Sequence, residues 1–237
     1  MLVIILAGGR GTRLGKMGEK VPKPLTLIGD KPIIWHIMKR FSNFGHTKFL
    51  ILGGYKYESI KEFFTLEVNK EFDWSVEVID TGLESETGGR ILNASRITEL
   101  GENFFLTYGD TLADIDLKSL VDFYMSNKFS SVLTGTKPVS RFGKLLLDQN
   151  RVIEFQEKPT FEYYVNGGFM VLEKSILGLI DHDKISLEYE ILPKLASQNK
   201  LGAFLHEGFW QPMDTPREVS LLTRVFDERG NQSPWLI

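Results

Sequence analysis

Leu2-Val3-Ile4-Ile5-Leu6-Ala7-Gly8-Gly9-Arg10-Gly11-Thr12-Arg13-Leu14 is the stretch that decides the fold. The continuous apolar run over residues 2–6 has the length of a strand buried on both faces of a parallel sheet. Its stop at Gly8-Gly9 is how such a strand opens into a ligand loop. Glycines let backbone N–H groups approach a phosphate closely, and a concave row of N–H groups binds anions. Arg13 adds a planar fork for phosphate oxygens. The dinucleotide fingerprint G-x-G-x-x-G fits Gly9 and Gly11 but requires glycine where Leu14 stands. It also wants an acidic residue after the second strand, where Gly53-Gly54-Tyr55 occur, so a nicotinamide oxidoreductase is disfavoured. The P-loop pattern G-x-x-x-x-G-K-[ST] is absent. Taken alone, the loop also reads as a plain turn.

Just downstream, Pro22-Lys23-Pro24 sets a lysine between two prolines. Both restrict the backbone, which predicts a cation carried on a stiff, extended segment. The alternative is a surface lysine in a proline turn. Further along, strand patterns over 49–52, 76–79, 103–108 and 131–136 alternate with helical patterns over 32–44, 57–66, 91–97 and 117–126. That alternation predicts a mostly parallel sheet covered by helices on both faces. The segments 144–147, 152–155 and 165–172 are more antiparallel in style, with turns between them. Helices are expected over 175–180, 187–198 and 216–228, and a late strand over 201–205. No linker or repeat interrupts the chain, so one α/β domain is expected over 1–237. Its nucleotide-binding half is about 1–136 and its sugar-phosphate half about 137–237.

Composition narrows the chemistry. Of 237 residues, 42% are hydrophobic and 25% charged, ordinary for a globular protein with a real core. The net charge of -3 lacks the basic excess of a general nucleic-acid binder, so none is expected as partner. With no cysteine, a disulfide framework, an iron–sulfur cluster and a thiolate zinc site are excluded. The four histidines form no H-x-x-x-H pair, so a metal is expected to be hard and held by carboxylates. The apolar run at the N-terminus lacks a charged leader and is too short to span a bilayer. No membrane partner and a cytoplasmic location are the expectation.

Together, GGRGTRL and PKP resemble the signature of the sugar-1-phosphate nucleotidyltransferase family. Asp80-Thr-Gly, Thr87-Gly-Gly-Arg90, Phe105-Leu-Thr-Tyr-Gly-Asp110, Phe155-Gln-Glu-Lys-Pro159, Asn166-Gly-Gly-Phe169 and Gly208-Phe-Trp-Gln-Pro-Met-Asp-Thr215 extend the likeness over nearly the whole chain. They are similar to its glucose-1-phosphate cytidylyltransferase branch, and the TGGR and FWQPMDT segments point there most directly. The resemblance implies a Rossmann-like, GT-A-like mixed sheet with a small antiparallel substrate-binding insertion. It implies that a nucleotide, CTP first, and a sugar 1-phosphate, glucose 1-phosphate first, are joined to a nucleotide-sugar (CDP-glucose) with release of pyrophosphate, by a Mg²⁺-dependent homo-oligomeric enzyme; the same reaction with another base or sugar is the alternative. Two features depart from the branch. The stretch between the helix over 57–66 and Asp80 is short, and Arg10 stands where other residues are usual.

Residue roles follow from that resemblance. Arg13, Lys23, Asp110, Lys158 and Asp214 are the expected catalytic set, with Asp110 and Asp214 holding Mg²⁺. Leu6, Ala7, Gly8, Gly9, Gly11, Thr12, Arg13, Lys23, Ser85, Arg90 and Gly109 are expected around the nucleotide. Glu157, Lys158, Asn166, Gly168 and Trp210 are expected around the sugar phosphate. Plainer roles compete with these. An aspartate after a strand often caps a helix, Arg90 also reads as a surface charge, Asn166-Gly167 also reads as a tight turn, and Trp210 as packing. His36, inside an apolar helix, reads as structural. Asp114-Ile-Asp116 is a D-x-D pair of the kind metal-dependent glycosyltransferases use, but that reading leaves GGRGTRL, PKP and EKP unexplained. A non-catalytic nucleotide-sugar-binding module would be expected to have lost the charges of Arg13, Lys23, Asp110, Lys158 and Asp214, which are all present.

Overall fold

The computed structural model describes residues 1–66, 73–140 and 142–237. The short stretch before Asp80 lies partly outside them. Its first strand, β1 (Val3–Leu6), is buried along its whole length. Val3 and Ile5 enter one hydrophobic core, Ile4 and Leu6 a second. Alternate residues of a strand point to opposite faces, so a continuous apolar run is what a sheet covered on both sides requires.

Small elements follow: α1 (Lys16–Lys20) and the pair β2 (Leu27–Ile28) and β3 (Lys31–Pro32). None of these was legible from periodicity. Helix α2 (Ile33–Asn43) starts after Pro32 and buries Ile33, Ile34, Ile37, Met38 and Phe41 against the Val3/Ile5 face. Next come β4 (Lys48–Gly53), α3 (Tyr57–Leu66) and β5 (Ser75–Asp80). Helix α4 spans Thr87–Ser95, beginning four residues before the apolar pattern does. Gly88 and Gly89 hide that start, because glycine is a poor helix former. They are tolerated because the loop before residue 187 lies against them: Gly89 donates to Ile185 O at 3.0 Å, and a Cβ on Gly89 would run into the Asp183 backbone.

Strand β6 (Asn103–Tyr108), strand β7 (Thr111–Ala113), α5 (Leu117–Ser126) and β8 (Ser131–Thr136) complete the first half. β9 (Lys144–Asp148) and β10 (Arg151–Gln156) form a separate two-stranded antiparallel hairpin. The third segment of antiparallel style behaves differently. It is β11 (Val165–Glu173), which enters the main sheet between β6 and β8 and runs antiparallel to both. Local pattern reports burial, and it cannot say which neighbour a strand will find.

Beyond β11, residues 174–179 form a 3₁₀ helix and not an α-helix. The expected helix over 187–198 is split into a π-helical turn (Leu187–Ile191) and α6 (Leu192–Ser197). Pro193 explains the break, since it has no N–H and its ring crowds the carbonyl four residues earlier. β12 (Leu201–His206), β13 (Trp210–Pro212) and α7 (Pro216–Arg229) end the fold. The central sheet has the order β12-β8-β11-β6-β1-β4-β5, with only β11 reversed. Among the described residues, no helix is long and apolar enough to cross a membrane.

Candidate active site

β1, β4 and β6 are parallel neighbours, and the loops at their carboxyl ends meet in a cleft of about 310 Å³. In sheets of this kind, ligands sit outside the carboxyl ends of the strands. The cleft is lined by Leu6, Ala7, Gly8, Gly9, Gly11, Thr12, Arg13, Lys23, Ser85, Arg90, Gly109, Asp110 and Asp214. Pro24, Glu86, Thr87 and Tyr108 join them. Gly11 adopts φ 61°, which glycine reaches without a Cβ penalty. Among the described residues, no backbone carbonyl accepts from the N–H groups of Gly9, Arg10 or Gly11. They are the donors an anion would find there.

Arg90 is not a surface charge: it is 5% exposed. Its Nη1 donates to Gly53 O at 2.9 Å, Thr81 Oγ1 at 2.9 Å and Gly82 O at 2.7 Å. Nη2 donates to Gly8 O at 3.3 Å and to Leu83 O at 3.4 Å. One rigid fork thus ties the glycine loop after β1 to the ends of β4 and β5. Burial lowers its pKa, and the Glu86, Asp80 and Glu84 charges oppose that shift. Space for the fork depends on glycine, because a Cβ on Gly8 or Gly54 would overlap the guanidinium. Arg10, the unusual loop residue, points elsewhere and pairs with Glu84 at 2.5 Å on the surface. Ser85 reaches the cleft wall, but its hydroxyl donates to Thr81 O at 2.6 Å.

The pairing of β7 with β13 brings Asp110 and Asp214 together across the sequence. Pro212 pairs with Thr111, and Met213 N donates to Asp110 O at 2.8 Å. Asp214 is then fixed from below by the capping box of α7: Glu218 accepts from Asp214 N at 2.6 Å and from Thr215 N at 2.9 Å. Lys23 stands between the two carboxylates. Its Nζ donates to Asp110 Oδ2 and, at 2.8 Å, to Asp214 Oδ1. Burial alone would lower the lysine pKa, but the two aspartates outweigh it and the net shift is upward. Arg13 Nη1 reaches Asp214 Oδ2 at 2.8 Å from the solvent side. The lysine is not on an extended segment throughout. Pro22 is extended, but Lys23–Leu25 close into a 3₁₀ turn with Leu25 N donating to Pro22 O at 2.8 Å. The turn gives the Leu25 and Thr26 N–H groups the partners an extended chain would deny them.

Two carboxylates that converge on the Lys23 ammonium are the kind of donor pair a hard cation takes from a protein when phosphate oxygens and water supply the rest. Among the described residues, no group of three or more His, Cys, Asp or Glu gathers. Asp110 and Asp214 fit a hard cation such as Mg²⁺ by donor type, two carboxylates and no softer ligand.

The residues expected around the sugar phosphate are more dispersed. Asn166 and Gly168 lie on β11 beside Tyr108, with Asn166 Nδ2 donating to Tyr108 Oη at 3.2 Å. Trp210 Nε1 donates to Gly167 O at 2.9 Å, so the indole both packs and braces the glycine pair. Glu157 and Lys158 are exposed at the foot of the hairpin, 3.9 Å apart, and are not brought into the cleft. Lys158 lines a neighbouring cavity with Arg217 and Arg224 of α7. The D-x-D pair is taken up by structure: Asp116 caps α5 by accepting from Ser119 N at 2.9 Å, and Asp114 Oδ1 lies 3.0 Å from His206 Nε2. Two residues lining the cleft, and one that binds both from behind, were not singled out from sequence. Tyr108 and Thr87 sit inside quoted motifs and were open to notice; Glu188, which binds both, lay in no motif.

This is the architecture of an α/β protein that receives an anionic ligand at the carboxyl edge of its sheet. Within that class, the chain belongs to the nucleotidyl transferase family, whose family model matches residues 2–221. It is 42% identical to the glucose-1-phosphate cytidylyltransferase of Salmonella typhi over 255 aligned residues, covering 99% of this chain and 98% of that protein. It is 34% identical to the probable glucose-1-phosphate cytidylyltransferase of Bacillus subtilis, with each chain covered in full at 100%. The structure of HddC from Yersinia pseudotuberculosis complexed with GMP-PN superposes with a TM-score of 0.74 at 27% identity, covering 95% of this chain and 99% of that one.

Proposed function

We propose that this protein joins CTP to glucose 1-phosphate, giving CDP-glucose and pyrophosphate. The observation that carries the reading is the convergence of Asp110, Asp214 and Lys23 at the mouth of the glycine-loop cleft. The full-length identity to cytidylyltransferases supports the choice of base and sugar.

In the reaction, a phosphate oxygen of the sugar phosphate attacks the α-phosphorus of the nucleotide. A new P–O bond forms, the bond to the bridging oxygen breaks, and its electron pair leaves on pyrophosphate. The nucleophile is already an anion, so no strong general base is needed. The protein's work is alignment of two anions and neutralisation of charge on the leaving group. Gly8, Gly9, Gly11 and Thr12 cradle the triphosphate, with Leu6, Ala7, Ser85 and Gly109 forming the walls. Arg13 and Lys23 supply fixed positive charge, and Arg90 holds the loop in shape. Asp110 and Asp214 would hold Mg²⁺, which when bound neutralises phosphate oxygens and favours departure of pyrophosphate. Asn166, Gly168 and Trp210 form the sugar side; Glu157 and Lys158, which lie outside the cleft in this structure, would have to move toward it to hold the sugar phosphate.

The protein works as a homo-oligomer in the cytoplasm. Support for association is the β9–β10 hairpin, where Leu146, Ile153 and Phe155 are 49%, 50% and 62% exposed. An apolar ribbon of that kind is a surface for another chain, here a second copy. The activity is tested by pyrophosphate release from glucose 1-phosphate with CTP, UTP, dTTP, GTP and ATP in parallel. Release with CTP above all others is the expected result. Preference for another nucleotide overturns the base, and release with none overturns the reaction.

A further inference from the structure

Tyr108 ends β6 with its ring against Gly168, which adopts φ 90° and whose Cβ would lie 2.7 Å from the ring. Its hydroxyl has two partners. It donates to Glu188 Oε1 at 2.6 Å and meets Asn166 Nδ2 at 3.2 Å. A carboxylate can only accept, so the single phenolic proton belongs to the Glu188 side. The Tyr108 oxygen is then an acceptor toward Asn166, which must turn its NH₂ to it. The other end of the same amide, Oδ1, accepts from Gly168 N at 2.9 Å. Both ends of Asn166 are therefore assigned by partners of fixed polarity.

Glu188 is anchored in turn. Its Oε2 accepts from Thr87 Oγ1 at 2.5 Å and from Ser186 Oγ at 3.0 Å. Those hydroxyl oxygens accept from Leu187 N at 2.9 Å and Tyr189 N at 3.2 Å. Every proton in the chain from Thr87 to Asn166 has one consistent direction. This half-buried network, satisfied in this way, favours one arrangement over its reversal.

The geometry points to Glu188 as a positioning residue that determines sugar specificity. By holding the Tyr108 proton, it presents Asn166 as a hydrogen-bond donor to a hydroxyl oxygen of the hexose. The inference rests on the reading that Asn166 faces the sugar of the proposed substrate. Glu188→Gln keeps the shape and spoils the polarity. Its amide must face either Tyr108 or the Thr87–Ser186 pair, and in the first case the reversal propagates to Asn166.

The test is calorimetric titration of CDP and of CDP-glucose, with Mg²⁺, into the wild type, Glu188→Gln and Tyr108→Phe. The ratio of the two Kd values isolates the sugar. In both variants CDP should bind within about twofold of wild type while CDP-glucose weakens by roughly tenfold, the scale of a lost buried hydrogen bond. KM for glucose 1-phosphate should rise and KM for CTP stay. Equal weakening of both ligands, or an unchanged ratio, overturns the inference, because a merely structural role would move both ligands alike. Thermal unfolding reports whether Glu188→Gln folds; if it does not, Tyr108→Phe decides alone. A wild type that binds CDP-glucose no more tightly than CDP defeats the sugar-side reading and the inference with it. A wild type with the sugar preference, and variants that keep it in full, defeats the inference alone.

Discussion

Met213 donates its backbone N–H to the carbonyl of Asp110 at 2.8 Å, and this one bond sets two distant aspartates side by side. The register of β13 on β7 places Asp110 just before one strand and Asp214 just after the other. Their carboxylates then share the Lys23 ammonium.

From that arrangement, Asp110→Asn and Asp214→Asn should each lower turnover by more than about a hundredfold, the scale for losing a transition-state electrostatic contact. Pyrophosphate release measures it, with circular dichroism to check the fold. Turnover like wild type in a folded variant would remove that residue from the proposed cation site.

Arg90 makes a different prediction. Lysine at this position keeps the charge but cannot reach carbonyls on three separate segments with one planar fork. Arg90→Lys should therefore lose about 2–4 kcal/mol of stability, the scale of losing one or two charged buried hydrogen bonds. CTP should bind more weakly because the glycine loop loosens. Urea unfolding and nucleotide titration test both, and a variant as stable as wild type would show that the fork does not hold the loop.

His36 carries a pH dependence with a definite sign. Its ring is buried, with Nε2 against Ile28 O at 2.9 Å and Nδ1 accepting from Trp235 Nε1 at 3.1 Å. A carbonyl cannot donate and an indole N–H cannot accept, so the ring is neutral with its proton on Nε2. Burial lowers the pKa from near 6.5 to about 4. Between those values the unfolded chain binds a proton that the folded chain refuses. Stability from this group is complete above pH 6.5 and is lost as pH falls toward about 4, by up to about 3 kcal/mol. Urea unfolding at a series of pH values, in wild type and His36→Gln, isolates it. The variant should show a shallower decline over that window, and equal slopes would exclude the histidine as the cause.

The hairpin predicts the assembly. Ile153→Glu with Leu146→Lys should lower the mass seen by sedimentation without unfolding the chain, since both side chains are about half exposed. A wild type that already sediments as a monomer at micromolar concentration removes the hairpin's proposed role.

Much of this was legible before any coordinates. The strands over 2–6 and 103–108 read from their apolar runs, residues 2–6 and 104–106, because burial on both faces favours apolar residues at successive positions. The helices over 32–44 and 216–228 read from their spacing and from prolines at their starts. Glycine-loop residues were legible because a phosphate loop is local: its N–H groups are neighbours along the chain.

What the sequence could not settle was every feature that depends on which distant segment lies alongside. Strands of three residues, such as β7 and β13, are too short to carry a period, yet their pairing joins Asp110 to Asp214. From pattern alone Arg90 read as a surface charge, although the resemblance set it at the nucleotide; its partners are mostly backbone carbonyls of distant segments, which have no signature in a sequence. Glu188 reached Thr87 and Tyr108 of the cleft wall from a π-helical turn with no motif around it. By itself the sequence determined the family chemistry and the order of elements, through local burial and backbone restriction. Only the tertiary structure decided how the two carboxylates meet on Lys23, the buried fork and the proton direction through Tyr108. Those rest on long-range hydrogen bonds whose partners are set by packing and not by spacing along the chain.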